Sequence, residues 1–183
     1  SDADGETPDV AFVWSDGSTG STIMVTAADD PSGTITCTAT ASDDDGGTDT
    51  DDASATVTNT DPVFTSISVT PLSAAAGDTL VCEATATDAD GDEPTITYAW
   101  SDGAIGASRV IAPGTEVGSA LICTATASDE DGGVVTATAS ATVTNTSPEV
   151  TDVSIGPALA TTSSSLTCTA TATDADGGTP TLS

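Results

Sequence analysis

Histidine and lysine are absent from these 183 residues, and Arg109 is the one basic side chain. Their absence removes the usual triad base, the imidazole metal ligand and the Schiff-base amine. Hydrolysis by a pair of carboxylates remains open to such a chain, but those pairs normally sit in a cleft beside aromatics, and aromatic residues make up 3% of it. The composition points away from an enzyme. Against that single base stand 29 acidic residues, for a net charge of −28. Nucleic acid and anionic membrane surfaces need Lys and Arg to neutralise phosphate, so the charge argues against both as partners of this segment. Such a charge suits a solvated extracellular or high-salt setting. No apolar run reaches the roughly 18 residues of a membrane-spanning helix, and no signal-peptide or lipidation pattern is present. Four cysteines occur, none in a CxxC spacing, so a four-cysteine zinc site lacks its usual framework.

What the chain does have is internal repetition. Asp-Ala-Asp-Gly stands at 2–5, 88–91 and 174–177, each 86 residues from the last. Trp14 and Trp100, Cys37 and Cys123, Cys82 and Cys168, and Pro62 and Pro148 keep the same spacing. Residues 1–62 align without a gap on 87–148 with 30 identities. The expected organisation is one whole copy at 63–148, the C-terminal part of a preceding copy at 1–62 and the N-terminal part of a following copy at 149–183. Residues 1–11 and 173–183 cover one phase of the repeat. Separate subunits that interlocked by donating strands would bring both stretches to one slot. The expectation is therefore a covalently continuous, longer polypeptide, with any signal and anchor outside this stretch.

Within one copy the pattern is all-β. At 79–87, Leu80, Cys82, Ala84 and Ala86 alternate with Thr79, Glu83, Thr85 and Thr87, the period of a half-buried strand. The same alternation runs through 120–127, with Leu121, Cys123, Ala125 and Ala127 inward, and through 134–144. Further strands are expected at 65–70, 95–100 and 107–112, separated by Gly, Pro and Asp turns. Short strands at regular spacing indicate an antiparallel immunoglobulin-like β-sandwich. Its inward residues are mostly alanine, so the core should be thin.

Cys82 falls on the second strand and Cys123 on the penultimate one, with Trp100 between them. That is the Cys…Trp…Cys order of immunoglobulin-like sandwiches, in which the tryptophan packs on an inter-sheet disulfide. Cys37 and Cys168 hold the same phases in the two partial copies, and their expected partners lie outside this stretch. Buried free thiols are the competing reading.

In such a topology the loop after the second strand, the loop before the last strand and the entering linker share one end. Asp88, Asp90, Asp92, Glu93, Asp129, Glu130 and Asp131 gather there, seven of the 11 carboxylates of the whole copy. Hard oxygen ligands on flexible loops suit Ca²⁺. ATATDADGDEPTITY resembles the cadherin-repeat stretch in which a DxD pair after the second strand binds inter-domain calcium. ATASDEDGG and the following SATVTNTSPEV resemble the cadherin C-terminal half running into its linker. YAWSDG is similar to the tryptophan and Gly-Asp-Gly signature of PKD repeats. The resemblance implies calcium at Asp88 and Asp90, and equally at Asp2 and Asp4 and at Asp174 and Asp176. Asn59, Asp61, Asp92, Asp129 and Asp131 complete the expected ligand set.

The departures from that pattern are specific. The cadherin linker Asp-x-Asn-Asp-Asn is reduced to Thr58-Asn59-Thr60-Asp61, and no Asp-Arg-Glu precedes the penultimate strand, where only Glu116 is near. DxDG is also a common turn sequence, and solvated acidic turns are the competing reading of the cluster. Asn145-Thr146-Ser147 fits the N-glycosylation pattern, with Pro148 directly after it. The function these features imply is an extracellular structural repeat, a stalk, adhesin or filament without catalysis. Its partners are neighbouring repeats, with other copies in a filament as a further class. A sandwich that binds polysaccharide is the alternative.

Overall fold

A computed structural model of the chain describes Gly5 and residues 7–181. Asp2 and Asp4 lie outside the described residues. Among the described residues the strands are β1 (Asp9–Trp14), β2 (Thr34–Ser42), β3 (Thr48–Thr56), β4 (Val63–Thr70), β5 (Ser73–Ala75), β6 (Thr79–Thr87), β7 (Thr95–Trp100), β8 (Ser108–Val110), β9 (Ala120–Ser128), β10 (Val134–Thr144), β11 (Glu149–Gly156) and β12 (Thr167–Thr173). The described residues contain no helix. Strands β7, β9 and β11 begin and end 86 residues after β1, β2 and β4.

The chain divides into two compact units. One comprises Ser1–Val63, Thr87–Thr95 and Ser128–Val135; the other comprises Phe64–Ala86, Ile96–Ala127 and Thr136–Ser183. The first unit holds the antiparallel sheet β1-β2-β3, with Trp14 opposite Cys37 and Cys37 opposite Ala53. The β6–β7 and β9–β10 loops belong to it as well.

The second unit holds an immunoglobulin-like sandwich. Its three-stranded sheet runs β4-β6-β8 and its four-stranded sheet β5-β10-β9-β7, with β5 parallel to β10. Alternation produces this core directly. Leu80 and Cys82 of β6 are buried while Thr79, Val81 and Glu83 face water; Leu121, Cys123, Ala125 and Ala127 of β9 are buried in turn. A disulfide joins Cys82 to Cys123, with Cα atoms 6.4 Å apart. Trp100 packs in the same cluster as that disulfide, with Val69, Ile111 and Val143, and its indole N–H donates to the Gly106 carbonyl at 2.9 Å. The same unit carries the β11–β12 hairpin, in which Ile155 faces Cys168 across the ladder. Cys37 and Cys168 are free thiols.

Candidate functional site

The acidic loops expected to meet at one end do meet, within the first unit. The linker after β3 is held from two sides. Asn59 donates through Nδ2 to Asp129 Oδ2 at 3.0 Å. Thr60 donates its backbone N–H to Asp90 Oδ2 at 2.6 Å and its hydroxyl to Asp90 Oδ1 at 3.3 Å. The DxD loop after β6 is shaped by its first carboxylate. Asp88 Oδ1 accepts from the Asp90 N–H at 2.8 Å, an Asx turn.

Asp129 performs the same service in its own loop, accepting from the Gly133 N–H at 2.7 Å. Gly133 is buried and has no room for a side chain. A Cβ there would lie 2.8 Å from Asp61 Oδ1 and 3.0 Å from Asn59 Nδ2, and would also strike Asp129. This backbone is where the linker docks.

Two oxygens in the cluster are buried without a hydrogen-bond partner, Asn59 Oδ1 and Asp88 Oδ2. A buried acceptor left unmatched costs about 1–3 kcal/mol, so both are under-used donors of electron density. The charges around them are crowded. The Asp131 carboxyl is raised above the usual carboxylate range, first by partial desolvation and then by Asp92, Asp129, Asp30 and Asp90. The Asp129 carboxyl is held below that range, chiefly by the hydrogen bond from Asn59. No group of three or more Asp, Glu, Cys or His among the described residues stands ready-made as a metal shell.

The expected ligands therefore divide by role. Asp88, Asn59, Asp92, Asp129, Asp131 and Asp61 sit in the cluster. Asp90 has both oxygens committed to Thr60. Glu93 and Glu130 are exposed. Asp30 joins the cluster unexpectedly, from the loop before β2. It lies in a stretch, 21–30, that shares no identity with 107–116, so the repeat alignment hides it. The available signal was Glu116, which occupies the same phase.

In the second unit the arrangement recurs in part. Asp176 accepts from the Thr146 N–H at 2.5 Å and from its hydroxyl at 3.2 Å, and Asp174 Oδ1 accepts from the Asp176 N–H at 2.9 Å. Asn145 is exposed and turns to the Thr146 carbonyl at 2.9 Å.

The aromatic residues offer no platform for a sugar ring. Phe12, Trp14, Phe64, Tyr98 and Trp100 are all buried or half-buried, and the Tyr98 hydroxyl is taken up by the Ala84 N–H at 3.2 Å. The two WSDG stretches form turns. Asp16 accepts from the Ser18 N–H, and Asp102 from Ala104. Asp102 also receives Arg109 at 2.6 Å, which draws its carboxyl below the usual range.

No family model and no curated protein matches the chain. Among solved structures it is similar to immunoglobulin domains 1–5 of Sidekick-1 at 21% identity, covering 76% of this chain and 33% of that one, with a TM-score of 0.35. It is similar to a tetra-tandem repeat in the extending region of a large adhesion protein at 16% identity, covering 93% and 56%, with a TM-score of 0.38. It is similar to the protocadherin GammaB4 extracellular domain at 20% identity, covering 82% and 28%, with a TM-score of 0.33. The chain spans between 28% and 56% of the length of these structures. The tandem immunoglobulin-like architecture rests on the strand order described above.

Proposed function

We propose that this chain is an extracellular, non-enzymatic structural module of a stalk, adhesin or filament. In this reading it is built from 86-residue copies in series (1–62, 63–148 and 149–183) whose junctions take up Ca²⁺. The observation that carries the calcium reading is the pair of orphaned buried oxygens, Asn59 Oδ1 and Asp88 Oδ2, within a crowd of carboxylates. The donor set consists of hard oxygens alone, which suits Ca²⁺ and disfavours softer metals. Asp88, Asn59, Asp92 and Asp131 would hold the ion, Asp129, Asp30 and Asp61 would add charge, and water would fill the remaining positions. The ion supplies positive charge that offsets carboxylate repulsion.

The chain's own residues do the rest. Asn59 ties the linker to Asp129, Asp90 clamps Thr60, and Gly133 leaves room for Asn59 and Asp61. The absence of His and Lys and the lack of an exposed aromatic surface support a mechanical role over catalysis or glycan capture. Affinity should fall near roughly 10⁻⁴ to 10⁻³ M, the range of extracellular calcium modules. Isothermal titration of the chain with CaCl₂ at fixed ionic strength tests this. Saturable heat that disappears in Asp88→Asn supports the reading, and equal weak heats for CaCl₂ and MgCl₂ in both proteins reduce the cluster to acidic turns.

A further inference from the structure

We propose that the outward face of the sheet β5-β10-β9-β7 packs laterally against the same face of a second copy of this chain. The proposal rests on the structural-repeat reading above, to which it adds a surface for association side by side, and is independent of calcium.

Charge decides where such a contact can form. With 29 acidic residues against one basic, two copies repel unless carboxylates are kept out of the interface. Three of the four sheets carry charge. The sheet β1-β2-β3 has Asp9, Asp49, Asp51 and Asp52; the hairpin β11–β12 has Glu149 and Asp152; β4-β6-β8 has Glu83 and Arg109. Strands β5, β7, β9 and β10 contain no charged residue at all. The inner face of that sheet is the disulfide core. Alternation leaves its outer face to threonine and serine hydroxyls, with Ala99, Ile122 and Val134 among them. Asp102, in the turn after β7, is paired with Arg109. All four strands fall between Ser73 and Thr144, so the exposure of this face owes nothing to the chain before or after them.

The apolar residues on the face set it apart from its counterpart. Ile105, Ile122 and Val134 are 84%, 41% and 56% exposed, whereas the same phases within 1–62 hold Thr19, Thr36 and Thr48. Ile105 faces the same way as Ala99, its partner in an antiparallel bridge. The Thr36 hydroxyl meets that of Ser54 across the strands at 2.8 Å, and Ile122 forgoes the equivalent pairing with Ser140. None of the three enters the core. An exposed isoleucine in place of a hydrogen-bonded threonine does nothing for this sandwich; grouped on an uncharged sheet, such residues suit a surface that a partner covers.

Size sets the strength. Strands about 4.8 Å apart, the longest of 11 residues, make a face of roughly 500 Å². A stable dimer buries roughly 800 Å² per partner, so one contact is weak and reversible, and copies in series strengthen it by avidity. Small hydroxyl side chains let the two sheets approach to about 10 Å. The same patch meets itself, so the contact is two-fold. Carboxylates elsewhere on the two chains still repel across about 10 Å in 0.1 M salt but only about 3 Å in 1 M salt. Association therefore strengthens as salt rises.

Sedimentation equilibrium of the full chain tests this, in chelator, with Cys37 and Cys168 capped by iodoacetamide, from about 0.1 M to about 1 M NaCl. A monomer–dimer equilibrium that tightens with salt is the expected result. Ile122→Asp with Thr138→Asp should weaken it by about tenfold or more, since like charges then meet across the contact. Val81→Asp with Val110→Asp adds the same charge to exposed positions of the opposite sheet and should leave most of the association in place. Ile105→Thr with Ile122→Thr installs the residues of the other copy, which that sheet already accommodates, and should weaken association without lowering the melting temperature. A chain that stays monomeric at every concentration and salt would overturn the proposal. So would association that survives carboxylates on this face, or that both Asp pairs weaken equally. Because calcium is absent throughout, a monomer that still gains stability when Ca²⁺ is added sinks the lateral contact alone.

Discussion

Asp131 and Asp129 sit in one loop, and their carboxyls are shifted in opposite directions, Asp131 up and Asp129 down. Partial desolvation, and then the neighbouring carboxylates, favour the protonated form of Asp131 in the folded chain, so this group costs stability at neutral pH and returns it as pH falls through its raised pKa. Asp129, depressed by Asn59, stabilises the fold above its unfolded value of about 3.9 and loses that contribution as pH falls further. Without calcium, mild acidification from neutral pH toward the carboxylate range should therefore raise the melting temperature, followed by a fall at lower pH. Asp131→Asn should raise the melting temperature at neutral pH and flatten the initial rise; scanning calorimetry across pH reads both. Gly133→Ala should do the reverse at any pH. Its added methyl meets Asp61 and Asn59, so the linker must leave its dock, at the cost of hydrogen bonds worth about 1 kcal/mol each. Calorimetry would contradict that placement by showing an unchanged transition. Which carboxylates would crowd together was largely legible, because DADG recurs in phase and so do DDDGG at 43–47 and DEDGG at 129–133. Which one would serve as the linker latch was not. Asp90 meets Thr60 thirty residues away, and no local pattern distinguishes it from Asp88.

Alternation carried the strands. Within β6, β9 and β10 the inward positions are those the period of two assigns, because one face is buried and a slip by one residue would expose it. Strand β5 escaped notice because Ser73–Ala75 is three residues long and shows no period at all. The alanine-rich inner faces confine the core to a few larger side chains, Leu80, Ile111, Val69 and Val143 among them. That thinness sets the consequences of substitution. Leu80→Ala should cost about 2–5 kcal/mol, since few neighbours can collapse into the cavity. Replacing both Cys82 and Cys123 by alanine should cost about 4 kcal/mol in the chain-entropy model for a bridge spanning 41 residues. Denaturant unfolding of the two variants measures these losses; a disulfide variant as stable as the parent would show that the core holds without its staple. The β8 edge is trimmed by the only cation, Arg109, which binds Asp102 at 2.6 Å. Both groups are partly exposed, so Arg109→Gln should cost no more than about 1 kcal/mol.

At the scale of the whole molecule, the −28 charge sets what neighbours the chain can tolerate. Self-repulsion of that size opposes compaction, and in the proposed reading divalent cations relieve it locally. General screening and a specific site make different predictions. Screening lowers repulsion everywhere and depends on ionic strength, whereas a site at Asp88, Asn59 and Asp131 responds to the identity of the ion. The most direct measurement is the melting temperature of the chain in calcium and in chelator at matched ionic strength, for the native protein and for Asp88→Asn. The expected result is a rise with Ca²⁺ that saturates near millimolar concentration, is weaker with Mg²⁺ and is lost in Asp88→Asn. Identical melting in calcium, magnesium and chelator would contradict a calcium-stabilised junction and leave the cluster as solvated acidic turns.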